Sequence, residues 1–294
     1  MNAHASLQQR IDDYLAERRL LGFELRSWDT FLAGFARYVA DHKYRGPLTA
    51  DLMIDWAKQD KWQRGTPPTW AVRLAKICHF ARYIKQFEPA TEIPEALTFG
   101  PERERLAPHI FHDQEVIDLL TAARQLEPSG SIRPSTYETL FGLMASAGLR
   151  VSEALHLRDA DVDLKRGMLT IRQTKFAKSR LLPVHPTTVA ALVKYRKARA
   201  RHVATVADMP FLISSRGRRL GLPLGDRQAH RVFNALRDRL GWVNRGGHVA
   251  IRLHDLRHTF VVRRLMRWHA DGTDIDQMML ALSTYMGHAE IFYT

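Results

Sequence analysis

A chain of 294 residues suits two domains, and a hydrophobic share of 45% supplies apolar side chains for both cores. Its single cysteine, Cys78, excludes an internal disulfide. No stretch reaches transmembrane length, and the first 20 residues lack the apolar block of a secretory signal, so a bacterial-type cytoplasm and no membrane partner are expected. Lys and Arg number 44 against 31 Asp and Glu, a net charge of +13. Residues 1–105 hold 16 basic and 14 acidic side chains and residues 106–294 hold 28 and 17, so a net +11 sits in the second part and points to a polyanion, nucleic acid first.

Residues 1–87 read as a helical domain. "LQQRIDDYLAERRLLG" is amphipathic and stops on Gly22, "SWDTFLAGFARYVADH" starts from Ser27, and "TADLMIDWAKQ" starts from Thr49. Thr66 before Pro67 and Pro68 opens a fourth helix. There Leu74, Cys78 and Phe80 or Ala81 recur at helical spacing and predict a core face. Arg73, Lys76, Arg82 and Lys85, with Lys61 and Arg64 just before, are left for solvent or for phosphates. Residues 88–108, "EPATEIPEALTFGPERERLAP", carry four prolines without periodicity and read as a linker.

Residues 109–294 form the second domain. "DQEVIDLLTAARQL" and "STYETLFGLMASAG" are helical. "GMLTIRQTKFAKSRLLPV" alternates on both sides of a polar turn and predicts a hairpin with strands near 167–173 and 179–184. Helices follow at "TTVAALVKYRKARAR", "DRQAHRVFNALRDRLG" and from about His254 to His269. The fold class is thus mainly α with a small antiparallel β-sheet: a helical domain, a linker and an α+β domain.

Three stretches place polar residues where they call for an explanation. In "AGLRVSEALHL", Gly148 stops one helix and Arg150 opens the next, with Glu153 three residues on and on the same face. An Arg at a helix start, held by a carboxylate, is a fixed fork for phosphate; an ordinary Arg–Glu pair has the same spacing. In "RLHDLRHTF", His254 shares a helix face with Arg257 and with His258. The His254–His258 spacing imitates a zinc site, but Asp255 is too short for the metalloprotease base and Arg257 brings a cation, so no metal is expected. An anion site fits His254 and Arg257, while His258 reads as a packed histidine. The hairpin turn "TKFAKSR" carries Lys175 and Lys178, which suit a reach into a cleft or plain solubility.

In order and spacing, "AGLRVSEALHL", a hairpin lysine, "LHDLRHTF" and "YMGHAE" together resemble the tyrosine recombinases of the phage-integrase family. The resemblance covers residues 112–292 closely, and residues 1–105 by architecture alone. It implies a helical core-binding (SAM-like) domain and a catalytic domain forming a C-shaped clamp on double-stranded DNA. It implies a homotetramer on paired sites when complete, a nucleoid location and no cofactor. Arg150, Lys175, His254, Arg257 and His288 match the family's assisting catalytic residues, with Glu153 behind them. The implied reaction is reversible transesterification through a 3′-phosphotyrosine. The arginines would hold the scissile phosphate, Lys175 would protonate the 5′-oxygen, His254 would serve the tyrosine and His288 would donate to a phosphate oxygen.

The family nucleophile falls about nine residues after the second histidine, which is position 297, three past Thr294. Tyr293 is only five residues on and is the fallback. The expectation is therefore a chain that ends just before its nucleophile and binds DNA without cutting it. Two rivals share the motifs: a non-catalytic DNA-binding member of the family, and a type IB topoisomerase.

Overall fold

The computed structural model describes residues 6–25, 27–59, 66–100, 105–172, 179–215 and 217–287. The chain divides into two compact units, Met1–Arg105 and Leu106–Thr294.

Among the described residues, four helices build the first unit: α1 (Leu7–Leu20), α2 (Trp28–Asp41), α3 (Ala50–Lys58) and α4 (Pro67–Lys85). Ser6 caps α1 by accepting the Gln9 N–H, and Thr49 caps α3 by accepting that of Leu52. The buried positions of α4 include Leu74, Cys78, Phe80 and Ala81, the face that the spacing predicts. Their core is aromatic: Tyr14 meets Phe80 and Tyr83 edge-on or tilted, and Trp56 meets Phe31 and Phe35 edge-on.

The proline-rich segment does not behave as a free linker from residue 88. The Glu92 N–H donates to the Leu48 carbonyl, and the Glu92 carboxylate accepts the Ala50 N–H at 2.7 Å. Thr91 is buried, Ile93 packs on the helical core and Phe99 meets Trp70 edge-on. Prolines forbid a helix here, yet an extended strap can still dock. At the other end, the Ala107 carbonyl accepts the Gly247 N–H, so residues 106–108 already pack with the second unit.

The second unit holds α5 (Asp113–Arg124), α6 (Arg133–Ala147), α7 (Val151–Leu155), α8 (Pro186–Ala200), α9 (Asp226–Leu240), α10 (Asp255–Ala270) and α11 (Ile275–Met286). Between α7 and α8 lies an antiparallel sheet in the order β1 (Val162–Asp163), β2 (Met168–Ile171), β3 (Arg180–Pro183). The sequence shows the β2–β3 pair; β1, at two residues, is too short to give an alternation. Leu169 pairs with Leu182 and Ile171 with Arg180. Leu169, Ile171 and Leu182 enter the core, while Leu181 faces solvent, as strand alternation requires.

Helix α6 is the centre. It buries Tyr137, Leu140, Phe141, Leu143, Met144 and Ala147, and it contacts α5, α8 and α10. It ends on Gly148 at φ +61, where an added Cβ would stand 2.5 Å from the Phe260 ring of α10. Left-handed backbone and a close approach therefore both demand glycine. Gly148→Ala should lower the unfolding free energy by about 2–4 kcal/mol, the sum of a left-handed backbone penalty and an overlap. Gly130→Ala shares the positive φ but meets open space and should lose only about 1–2 kcal/mol. Urea titration of the two variants checks the difference.

Candidate active site around Glu153

The second domain places two of its predicted site residues, Arg150 and Arg257, around the carboxylate of a third, Glu153. Glu153 lies in the first turn of α7, and Arg150 is the residue that opens that helix. The Glu153 carboxylate reaches back to accept the Arg150 backbone N–H at 3.0 Å, closing the helix start. It also accepts from Arg150 Nη1 at 2.7 Å. Arg180, on β3, adds two parallel bonds of 3.0 Å, one to each oxygen. Arg257, one turn into α10, brings its Nη1 to 3.7 Å from the same group. Three guanidiniums therefore surround one side chain that is only 7% exposed.

Backbone carbonyls take further arginine donors. Arg257 gives one bond of 2.6 Å to the Gly148 carbonyl and another of 2.6 Å to the Met286 carbonyl. Arg150 reaches the Gly287 carbonyl at 3.0 Å, and Arg180 the Tyr285 carbonyl at 2.8 Å. These oxygens belong to the C-terminal ends of α6 and α11, where helices leave carbonyls without partners and carry partial negative charge. Both helices end on a left-handed glycine, Gly148 and Gly287. One arginine, Arg257, thus caps two helices at once.

The charges follow from this packing. Burial raises the Glu153 pKa, but the hydrogen bonds and charge of Arg180, then those of Arg150, outweigh it and hold the carboxyl below its ordinary value. Burial and the neighbouring Arg150 push Arg257 down to about 9, which leaves it cationic at neutral pH. His254 stands just ahead of α10 with its ring edge-on to His258, centroids 4.9 Å apart. Burial, then His258, Arg257 and Arg252, push His254 down to about 4, so it is neutral at pH 7. His258 is half-buried against that ring, and burial lowers its pKa as well. The charges of Arg252 and Arg257 oppose a metal ion between the two rings. Asp255 is fully buried and takes the Arg252 backbone N–H and guanidinium, so it shapes the start of α10.

The sequence motifs did not single out Arg180. Its only signal is an arginine in an alternating strand, at a position that pairs with the buried Ile171; its side chain is 11% exposed. Lys175, Lys178, His288, Tyr293, Lys61 and Arg64 lie outside the described residues. On α4, Arg73 lies over the Trp56 ring and Lys76 over the Phe31 ring, while Arg82 and Lys85 are exposed. At about 100° per residue the second pair stands on the far side of the helix from the first, so the four do not form one basic face.

A model of the phage integrase family matches residues 110–292. The proposed integrase/recombinase y4rB of Sinorhizobium fredii is 38% identical over 98% of this chain and 90% of its own length. The tyrosine recombinase XerC of Pelobacter propionicus is 27% identical over 95% of this chain and 85% of its own. The structure of the Tn1549 transposon integrase with transposon right-end DNA matches with a TM-score of 0.70 over 98% of this chain and 93% of that one, at 15% identity, which speaks for the fold. The chain belongs to the phage integrase family of tyrosine recombinases.

The lowered pKa values of His254, His258 and Glu153 set an acid limit. Unfolded, His254 titrates near 6.5; folded, near 4. Between these values the unfolded chain binds the extra proton, so stability falls as pH drops from about 6.5 to 4. The Glu153 contribution is lost at still lower pH, below its ordinary value of 4.5. Thermal unfolding from pH 7 to 4 should show this decline, and His254→Asn should make it shallower, with the His258 share remaining. The expected difference is about 2–3 kcal/mol at pH 4, after allowing for partial solvent screening.

Proposed function

We propose that this protein is a site-specific recombinase or integrase that cuts and rejoins duplex DNA through a 3′-phosphotyrosine. The observation that carries the reading is the Glu153 cluster: three arginines share one carboxylate and leave a surplus of two positive charges in a largely buried setting. Such a surplus suits the charge that builds on phosphorus oxygens in a pentavalent transition state. Arg150, 31% exposed, offers the N–H donors not taken by Glu153 and the Gly287 carbonyl to one non-bridging oxygen. Arg257, fixed by two carbonyls, stabilises the other through the local field.

His254, neutral at pH 7, takes the proton of the attacking tyrosine and returns it in the reverse step. Lys175 protonates the departing 5′-oxygen, and His288 donates to a phosphate oxygen. Glu153 orients Arg150. The arginines supply the charge that a metal supplies in other phosphoryl-transfer sites. The first unit adds DNA contacts through α4 and the segment before it, with Arg73, Lys76, Arg82, Lys85, Lys61 and Arg64 as candidates. Four copies on paired sites complete the reaction.

A randomised duplex pool retained on the protein identifies the site. Binding to that site should fall by about three decades between 50 and 200 mM salt if about six phosphates are contacted. A flat titration overturns the DNA-binding reading. Cleavage is read on a nicked suicide duplex with this chain and with a form carried past residue 294. Arg150→Ala and Arg257→Ala should each slow that cleavage by about a hundredfold to a thousandfold. A 5′-bridging sulfur needs no protonation on leaving, so it should rescue Lys175→Ala; rescue of Lys178→Ala alone would move the acid to Lys178. A covalent adduct that disappears in Tyr293→Phe would make Tyr293 the nucleophile.

A further inference from the structure

Arg180 has no place in the reaction just described, yet it makes the most extensive contact with the site's carboxylate. Its Nη1 and Nη2 grip the two Glu153 oxygens at 3.0 Å each, and its Nε holds the Tyr285 carbonyl at 2.8 Å. At 11% exposure, and with all three nitrogens engaged by the protein, it has little left to offer DNA. The fit around it is tight. A Cβ on Gly287 would stand 2.5 Å from Arg180 Nη1, so the residue before His288 has to be bare for this arginine to sit where it does. The Tyr285 hydroxyl also donates to the Pro183 carbonyl at 3.3 Å, which ties the end of α11 to β3 a second time.

The consequence lies in what Glu153 does to Arg150. Arg150 gives that carboxylate a single side-chain bond, to Oε1, and its other end reaches Gly287. A carboxylate beside an arginine prefers the two-bond fork, which uses both ends of the guanidinium and neutralises it. Here the fork is already taken by Arg180. We infer that Arg180 is a positioning residue: by occupying Glu153 in a two-bond pair, it keeps Glu153 from closing on Arg150 and leaves the Arg150 guanidinium, held by one bond to Glu153 and one to the Gly287 carbonyl, able to turn toward the scissile phosphate. The same residue locks β3 to the end of α11, so both elements are referred to one carboxylate. The inference rests on the phosphate-binding role proposed for Arg150, but its structural half does not.

The test separates the two. A crystal structure of the Arg180→Met chain should show Glu153 turned into a two-bond pair with Arg150, in place of the single bond. Arg150 unchanged at one bond overturns the inference, whatever the protein does to DNA. In single-turnover cleavage of the nicked duplex by the form carried past residue 294, Arg180→Met and Arg180→Lys should cut at least tenfold more slowly. Their DNA affinity should stay within about twofold. Adding Glu153→Gln to Arg180→Met removes the charge that would hold Arg150. That double variant should recover to within about threefold of Glu153→Gln alone. A double variant as slow as Arg180→Met, or a loss of DNA affinity that tracks the loss of rate, makes Arg180 a scaffold residue or a DNA contact and ends the proposal. If Arg180→Met does not fold, Arg180→Lys and the neutral double variant carry the comparison. Absence of cleavage by the unsubstituted form would sink the catalytic reading and leave the crystallographic outcome to decide the positioning.

Discussion

One buried carboxylate organises the second unit. Arginines repel one another, and bringing Arg150, Arg180 and Arg257 together in a low-dielectric setting costs free energy that Glu153 offsets. Four donors point at Glu153 directly: two from Arg180, one from the Arg150 side chain and one from the Arg150 backbone. The carboxylate is outnumbered by cations, so the cluster is held together and still carries positive charge. A site built this way is stable when empty and attractive to an anion, two properties that a single arginine pair does not combine.

The helices around it are arranged to take the leftover donors. Gly148 and Gly287 end α6 and α11 in the left-handed conformation, and the carbonyls next to them receive Arg257 and Arg150. Helix ends are where carbonyls lack partners, so the arginines satisfy the helices as much as the helices satisfy the arginines. The Phe260 ring packed on Gly148, and stacked on Tyr285 at 5.7 Å, keeps α10 in register with both ends. A change of packing at Phe260 is therefore a change in where Arg257 stands, which links the apolar core to the chemistry.

Much of this is legible along the chain. Gly148, Arg150 and Glu153 lie within six residues and mark a helix stop, a helix start and its first turn, and His254 with Arg257 lie within four, so short-range geometry alone brings each set together. Leu74, Cys78 and Ala81 announce their core by spacing. Other features leave no such trace. The strap at residues 88–100 reads as a linker because prolines erase periodicity, while its anchoring to Leu48, Ala50 and Trp70 is made by single long-range contacts. On α4 the basic residues are close in sequence, yet rotation about the helix axis splits them into two pairs.

The sequence by itself determined the helical character of both units, the β2–β3 hairpin, the surplus of charge in the second unit and the closeness of Arg150 to Glu153 and of His254 to Arg257. Local periodicity, capping chemistry and short motifs carry those facts, because each involves residues a few positions apart. Only the tertiary structure decided that Arg180 shares Glu153 with Arg150, that Arg257 caps α6 and α11 together, and that His254 is held neutral. Those facts depend on groups up to 137 residues apart, as in the Arg150–Gly287 bond. Their energies come from burial and distance, and neither exists until the chain has closed on itself.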